Sequence, residues 1–136
     1  MEMARGFEGL DVWKTAMTLA VLVHRQVLPR LPDHERYVRE RQLRRSIQSV
    51  PANIAEAHGR HHRQDASWFC YVARGSLEES LSHLSLADKL QYLPDEIFAE
   101  CEVVGGKTLA LLNGYIRYLR QAYARTRSED RGVPDP

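Results

Sequence analysis

Residues 95–124, DEIFAECEVVGGKTLALLNGYIRYLRQAYA, carry the clearest periodicity in the chain. Ile97, Cys101, Val104, Thr108, Leu111, Tyr115, Tyr118 and Ala122 recur at alternating spacings of four and three. Leu109, Leu112, Ile116, Leu119 and Tyr123 form a second stripe beside them. Two apolar stripes at this spacing define one long amphipathic helix. Gly105, Gly106 and Gly114 lie inside it, and each costs about 1 kcal/mol in a helix interior. A phase that runs through all three says that packing outweighs intrinsic propensity.

Upstream, Pro94 ends a third helical segment, and Asp95 and Glu96 suit the first turn of the next one. In that third segment Phe69, Ala73, Leu77, Leu81, Leu84, Ala87 and Leu90 keep the helical period. It begins after Arg63 with Gln64 or Asp65 as cap, and Gly75, Ser76 and Ser80 leave room for close helix approach. Before it, Leu43, Ile47, Val50, Ile54 and Ala57 hold one phase through Pro51. This predicts a single helix from Asp33 or Glu35, kinked at the proline, with Gly59 as a left-handed cap. The first helix carries Trp13, Met17, Ala20, His24, Val27 and Leu31, with Val12, Ala16, Leu19 and Val23 alongside, and ends at Pro29 and Pro32. No strand pattern occurs. The expected architecture is all-α, an antiparallel up-down-up-down four-helix bundle over residues 1–125, followed by a flexible polar tail over 126–136.

With 136 residues, 43% apolar and 27% charged, the chain suits one globular domain that needs neither metal nor disulfide to fold. Its longest apolar stretch, Leu19 to Val23, is far short of a membrane span, and the N-terminus lacks signal-peptide regions. A cytoplasmic location follows as the expectation. Cys70 and Cys101 sit among apolar residues and read as free buried thiols. The net charge of +1 conceals segregation: residues 36–63 carry +5, residues 64–102 carry −6 and residues 103–136 carry +3. Such asymmetry suits subunit pairing or a basic face for nucleic acid. Arginine outnumbers lysine sixteen to three, which favours forked contacts to phosphate or carboxylate.

Catalytic patterns are missing. There is no G-x-S-x-G elbow, no glycine-rich phosphate loop and no inward Glu-x-x-His pair, so an enzyme is not expected and no cofactor is implied. His58, His61 and His62 fall in a connection beside Arg60 and Arg63, where solvated imidazoles are the expectation rather than a zinc site. The binding candidates are Arg41, Arg44, Arg45, Arg60 and Arg63. As a stripe they would track phosphates; as ion pairs they would meet the acidic third helix, within the chain or across an interface. Asn53 beside Pro51 would satisfy backbone groups freed by the proline or reach a neighbouring helix.

Four stretches resemble the bacterial 23S rRNA intervening-sequence protein family: Phe7-Glu8-Gly9-Leu10-Asp11-Val12-Trp13, Gln42-Leu43-Arg44-Arg45-Ser46-Ile47, Val50-Pro51-Ala52-Asn53-Ile54-Ala55-Glu56 and Tyr71-Val72-Ala73-Arg74-Gly75-Ser76-Leu77-Glu78-Glu79. The resemblance implies a four-helix bundle assembled with itself, commonly as a homopentamer. The accessory variability determinant of diversity-generating retroelements is similar, which adds RNA or DNA and a reverse transcriptase as expected partners. A non-catalytic nucleic-acid-binding accessory factor is one implied function. A structural or protein-interaction bundle is the other.

Overall fold

A computed structural model describes residues 6–130 and 132. Its helices are α1 (Asp11–Leu22), α2 (Arg41–Gly59), α3 (Ala66–Lys89) and α4 (Asp95–Asp130), with no strand among the described residues. The fold is an all-α four-helix bundle. α2 packs on α3, α3 on α4, α4 on α1 and α1 on α2. Ser46 meets Ser80 while Ser49 meets Ser76, and Gly105 meets Leu81 while Arg74 meets Asn113. In both pairs one number rises as the other falls, so α2–α3 and α3–α4 run antiparallel.

Hydrophobic period explains most of each helix. Leu43, Ile47, Val50, Ile54 and Ala57 are all buried, and α2 continues through Pro51, which is itself buried. α1 buries Val12, Ala16, Leu19 and Ala20, continued by Val23, Val27, Leu28 and Leu31. The stripe of Trp13, Met17 and His24 lies half-buried at its edge. In α4 the core line is Cys101, Gly105, Thr108, Leu112, Ile116 and Leu119. It starts on one predicted stripe and finishes on the other. A seven-residue repeat drifts about 20° per heptad on a straight helix, so Tyr118 has rotated into solvent by the time Leu119 faces inward.

The helix ends differ from their expected form in three places. Gly59 is the last residue of α2 and is not left-handed; Arg60 caps at φ −119. α3 stops before Pro94 is reached, because Gln91 takes φ 62. The Tyr92 amide then donates to the Ala87 carbonyl and the Gln91 amide to Asp88, the paired bonds of a Schellman ending. Leu90, past the last helical turn, is 45% exposed although it keeps the phase. α4 runs to Asp130, so residues 126–130 of the expected tail are helical, while 131 and 133–136 lie outside the described residues. The α1–α2 connection is also largely helical, broken only where Leu31 and Pro32 are extended, with widened π-type turns over Val23–Val27 and Arg36–Glu40 on either side. Hydrophobic spacing carries no signal for such turns.

Candidate nucleic-acid interface

Arg41, Arg44 and Arg45 occupy the exposed face at the start of α2, whereas Arg60 and Arg63 follow its last turn, about 28 Å along the axis. The five do not form one patch. Arg44 donates to Glu40 at 2.8 Å, and Arg45 lies 3.8 Å from Glu79 of α3. Arg60 is held by Glu56 at 2.8 Å and Asp65 at 2.7 Å, and its guanidinium stacks 4.9 Å from the Phe69 ring centre. Arg63 stands 3.8 Å from Asp65. Arg41 makes no ion pair among the described residues. The neighbouring Arg36 and Arg39 are paired too, with Asp33 and Glu40 and with Glu35. Carboxylates answer four of these five cations, only that of Arg45 from within α3, and Arg44 and Arg45 keep 46% and 75% of their side chains in water. Exposed pairs of this kind contribute about 0–1 kcal/mol each, weak enough for phosphate to displace.

The two most distinctive motifs meet face to face between α2 and α3. Ser46 and Ser80 hydroxyls are 2.7 Å apart, and Ser76 donates to Ser49 at 2.9 Å. Asn53 donates to the Ser49 carbonyl at 2.8 Å and to its hydroxyl at 2.9 Å. Both bonds of Asn53 stay within α2, where they hold the Ser49 hydroxyl that accepts from Ser76 of α3, and the carbonyl it satisfies is not the one Pro51 frees. Small side chains here allow close approach, and the hydroxyls satisfy one another. Gly75 is different: it is exposed, and a Cβ there would meet nothing within 4 Å.

His58, His61 and His62 pack as rings, with centres 5.7 Å apart for the first pair and 3.9 Å for the second. No group of three His, Cys, Asp or Glu among the described residues could hold a metal ion. Cys70 and Cys101 are buried and unpaired, and burial pushes their thiols up to about 12 and about 11. Neither is a nucleophile at neutral pH. Between α1 and α2 an apolar groove of about 550 Å³ is lined by Trp13, Met17, Val21, Pro51, Ala52 and Ala55, with Arg25 and Gln48 at one end. No described helix is long and apolar enough to cross a membrane.

Sequence reasoning registered the +3 balance of residues 103–136 but named none of the α4 arginines as binding candidates. Arg117, Arg120, Arg125 and Arg127 are exposed and make no ion pair among the described residues. The signal was present in spacing. Arg36, Arg39, Arg44 and Arg60 each have a carboxylate three or four residues away, whereas Arg117 and Arg120 have none.

The geometry is that of a helical bundle with a serine-lined seam between α2 and α3 and arginines on its outer faces. The model of the 23S rRNA-intervening sequence protein family matches residues 8–114, and the chain belongs to that family. Among solved structures it is similar to a protein with unknown function from the S23 ribosomal protein family of Bacteroides thetaiotaomicron. The two share 24% identity at a TM-score of 0.68, over 77% of this chain and 97% of that one. That likeness concerns the fold. No curated protein matches.

Proposed function

We propose that this protein is a non-catalytic, self-assembling accessory factor that binds nucleic acid through its phosphates. The observation that carries the reading is the exposed basic face of Arg41, Arg44 and Arg45, whose only partners among the described residues are weak, solvent-exposed ion pairs. Clustered guanidinium groups neutralise phosphates and release counterions without reading sequence. Arg60, locked between two carboxylates and a phenyl ring, is a structural cation and leaves this set; Arg63 remains in it. Family membership supports an RNA context, with a reverse transcriptase as a further candidate partner. Self-assembly, as a homopentamer by the resemblance, has support in the α1–α2 groove. The groove has no carboxylate in its lining and Arg25 at its end, while Glu96, Glu100 and Glu102 of α4 are exposed and make no ion pair among the described residues. A second copy would bring those acids to that groove.

The test is retention of a structured RNA duplex by the immobilised protein at ~50 mM salt, with release near 200 mM. Retention followed by release supports the reading. Failure to retain either duplex RNA or duplex DNA at ~50 mM overturns it and leaves the second reading, a bundle whose charges serve only subunit pairing.

A further inference from the structure

Four exposed arginines that make no ion pair among the described residues lie at the far end of α4. Register places them. Gly105 faces Leu81 and Asn113 faces Arg74, so Ala66, the first residue of α3, stands level with about residue 120. Residues 121–130 continue past the bundle as a helical overhang of about 15 Å. Arg125 and Arg127 project from it, and Arg117 and Arg120 stand just below, all exposed.

Aromatic rings sit beside one of these charges: Arg125 is seven residues from Tyr118 and shares its face of α4, whereas Arg120 and Arg127 lie round the other side of the helix. Tyr118 is 56% exposed, and its ring lies 6.0 Å from that of Tyr115 at an interplanar angle of 18°. Two hollows flank it. One, of about 300 Å³, is lined by His58, His61 and Tyr115; the other, of about 250 Å³, is lined by His62, Gln121 and Arg125, with Glu129 as its one carboxylate. The α2–α3 connection thus brings imidazoles against the phenol from one side and α4 brings guanidinium from the other.

We propose that this end of the molecule binds single-stranded nucleic acid, with unpaired bases stacking on Tyr118 and the adjacent imidazoles while Arg125 holds a flanking phosphate. Flat rings interleaved with cations are what a single strand needs, because each base offers a π-face once it is unstacked. A duplex keeps those faces covered and offers only its phosphates. The proposal rests on the nucleic-acid reading above but assigns the single strand to a surface remote from Arg41, Arg44 and Arg45.

The experiment is fluorescence anisotropy of labelled twelve-nucleotide oligouridylate and oligothymidylate, with a twelve-base-pair duplex beside them, over ~25–200 mM salt. Circular dichroism confirms that each variant is folded. Tyr118→Ala is expected to weaken single-strand binding about 5- to 100-fold, and Tyr118→Phe to restore it. Arg125→Ala should reduce the log–log salt slope by about 0.7, for the one phosphate no longer neutralised. Equal effects on both oligonucleotides identify base and phosphate as the ligand, and an effect on oligouridylate alone adds the 2′-hydroxyl. Duplex binding with no single-strand binding overturns this inference and leaves the proposed function standing. Single-strand binding unmoved by both the Tyr118 and the Arg125 variants also overturns it. Absence of binding to all three probes overturns both.

Discussion

Gln91 holds a backbone angle that glycine adopts at no steric cost. A left-handed residue with a Cβ is disfavoured by about 1–2 kcal/mol, and glycine loses part of that advantage through its freer unfolded chain. Gln91→Gly should therefore stabilise the protein by about 0.5–1 kcal/mol in urea unfolding; a loss of stability would show that the Gln91 side chain matters. The paired glycines of α4 make opposite predictions. Gly106 is exposed with nothing within 4 Å of a Cβ, so Gly106→Ala should add up to about 1 kcal/mol. At Gly105 a Cβ would stand 2.6 Å from a terminal methyl of the half-buried Leu81, so alanine there must push that methyl aside and should gain less or lose. Tyr115 holds a buried hydroxyl with no hydrogen-bond partner among the described residues, and Tyr115→Phe should be neutral to stabilising by about 1 kcal/mol. The buried thiols set the alkaline limit. Their pKa values are raised on folding, so the stability they contribute is intact at neutral pH and falls as pH rises from the ordinary 9.0 towards 12. Unfolding midpoints should be flat from pH 7 to 8.5 and drop above 9, and a thiol reagent at pH 8 should label neither cysteine until the chain is denatured. At this scale the sequence was least informative. No residue type announces that Gln91, rather than a glycine, takes the left-handed angle.

The seam between α2 and α3 is the best-defined element contact. Ser46 and Ser80 are buried with their hydroxyls 2.7 Å apart, and each also donates to a carbonyl of its own helix, Leu43 for Ser46 and Ser76 for Ser80, so removing one hydroxyl leaves the other a backbone partner and costs about 0.5–1.5 kcal/mol. The double variant Ser46→Ala, Ser80→Ala should cost less than the sum of the single ones, by about 0.5–1.5 kcal/mol in a double-mutant cycle. Strict additivity would mean that the pair is incidental. Helix existence was legible from the apolar period alone, and all five predicted core residues of α2 are buried. The α4 core line was only half legible, because a heptad written on paper does not show the drift of a straight helix. The candidate site was legible as charge but not as availability. Spacing of three or four to a carboxylate separates Arg36, Arg39, Arg44 and Arg60, which are paired, from Arg117 and Arg120, which are not, but it fails for Arg125 and Arg127, which have Glu129 and Asp130 at that spacing and no ion pair among the described residues. The Arg45–Glu79 contact and the proximity of His62 to α4 are tertiary, and no local pattern carries them.

The whole molecule distributes charge unevenly along one bundle. Among the described residues, arginines with weak partners stand at the start of α2, and unpaired ones at the end of α4. Unpaired acids cluster on the first turns of α4. A surface of this kind should associate with itself and with polyanions, both sensitively to salt. Light scattering at micromolar concentration should report a mass several times 15.7 kDa, near 80 kDa for five copies, and a mass of one chain would remove self-assembly from the account. The central claim is that guanidinium groups free of strong carboxylate partners hold phosphate. It is tested most directly by the salt dependence of duplex RNA binding for wild type and for Arg44→Ala with Arg45→Ala. The log–log slope is predicted to fall by about 0.9 for each phosphate that the variant no longer neutralises, so by about 1.8, with the fold and the assembled mass unchanged. An unchanged slope together with a dissociated oligomer would contradict the claim and make these arginines interface ion pairs.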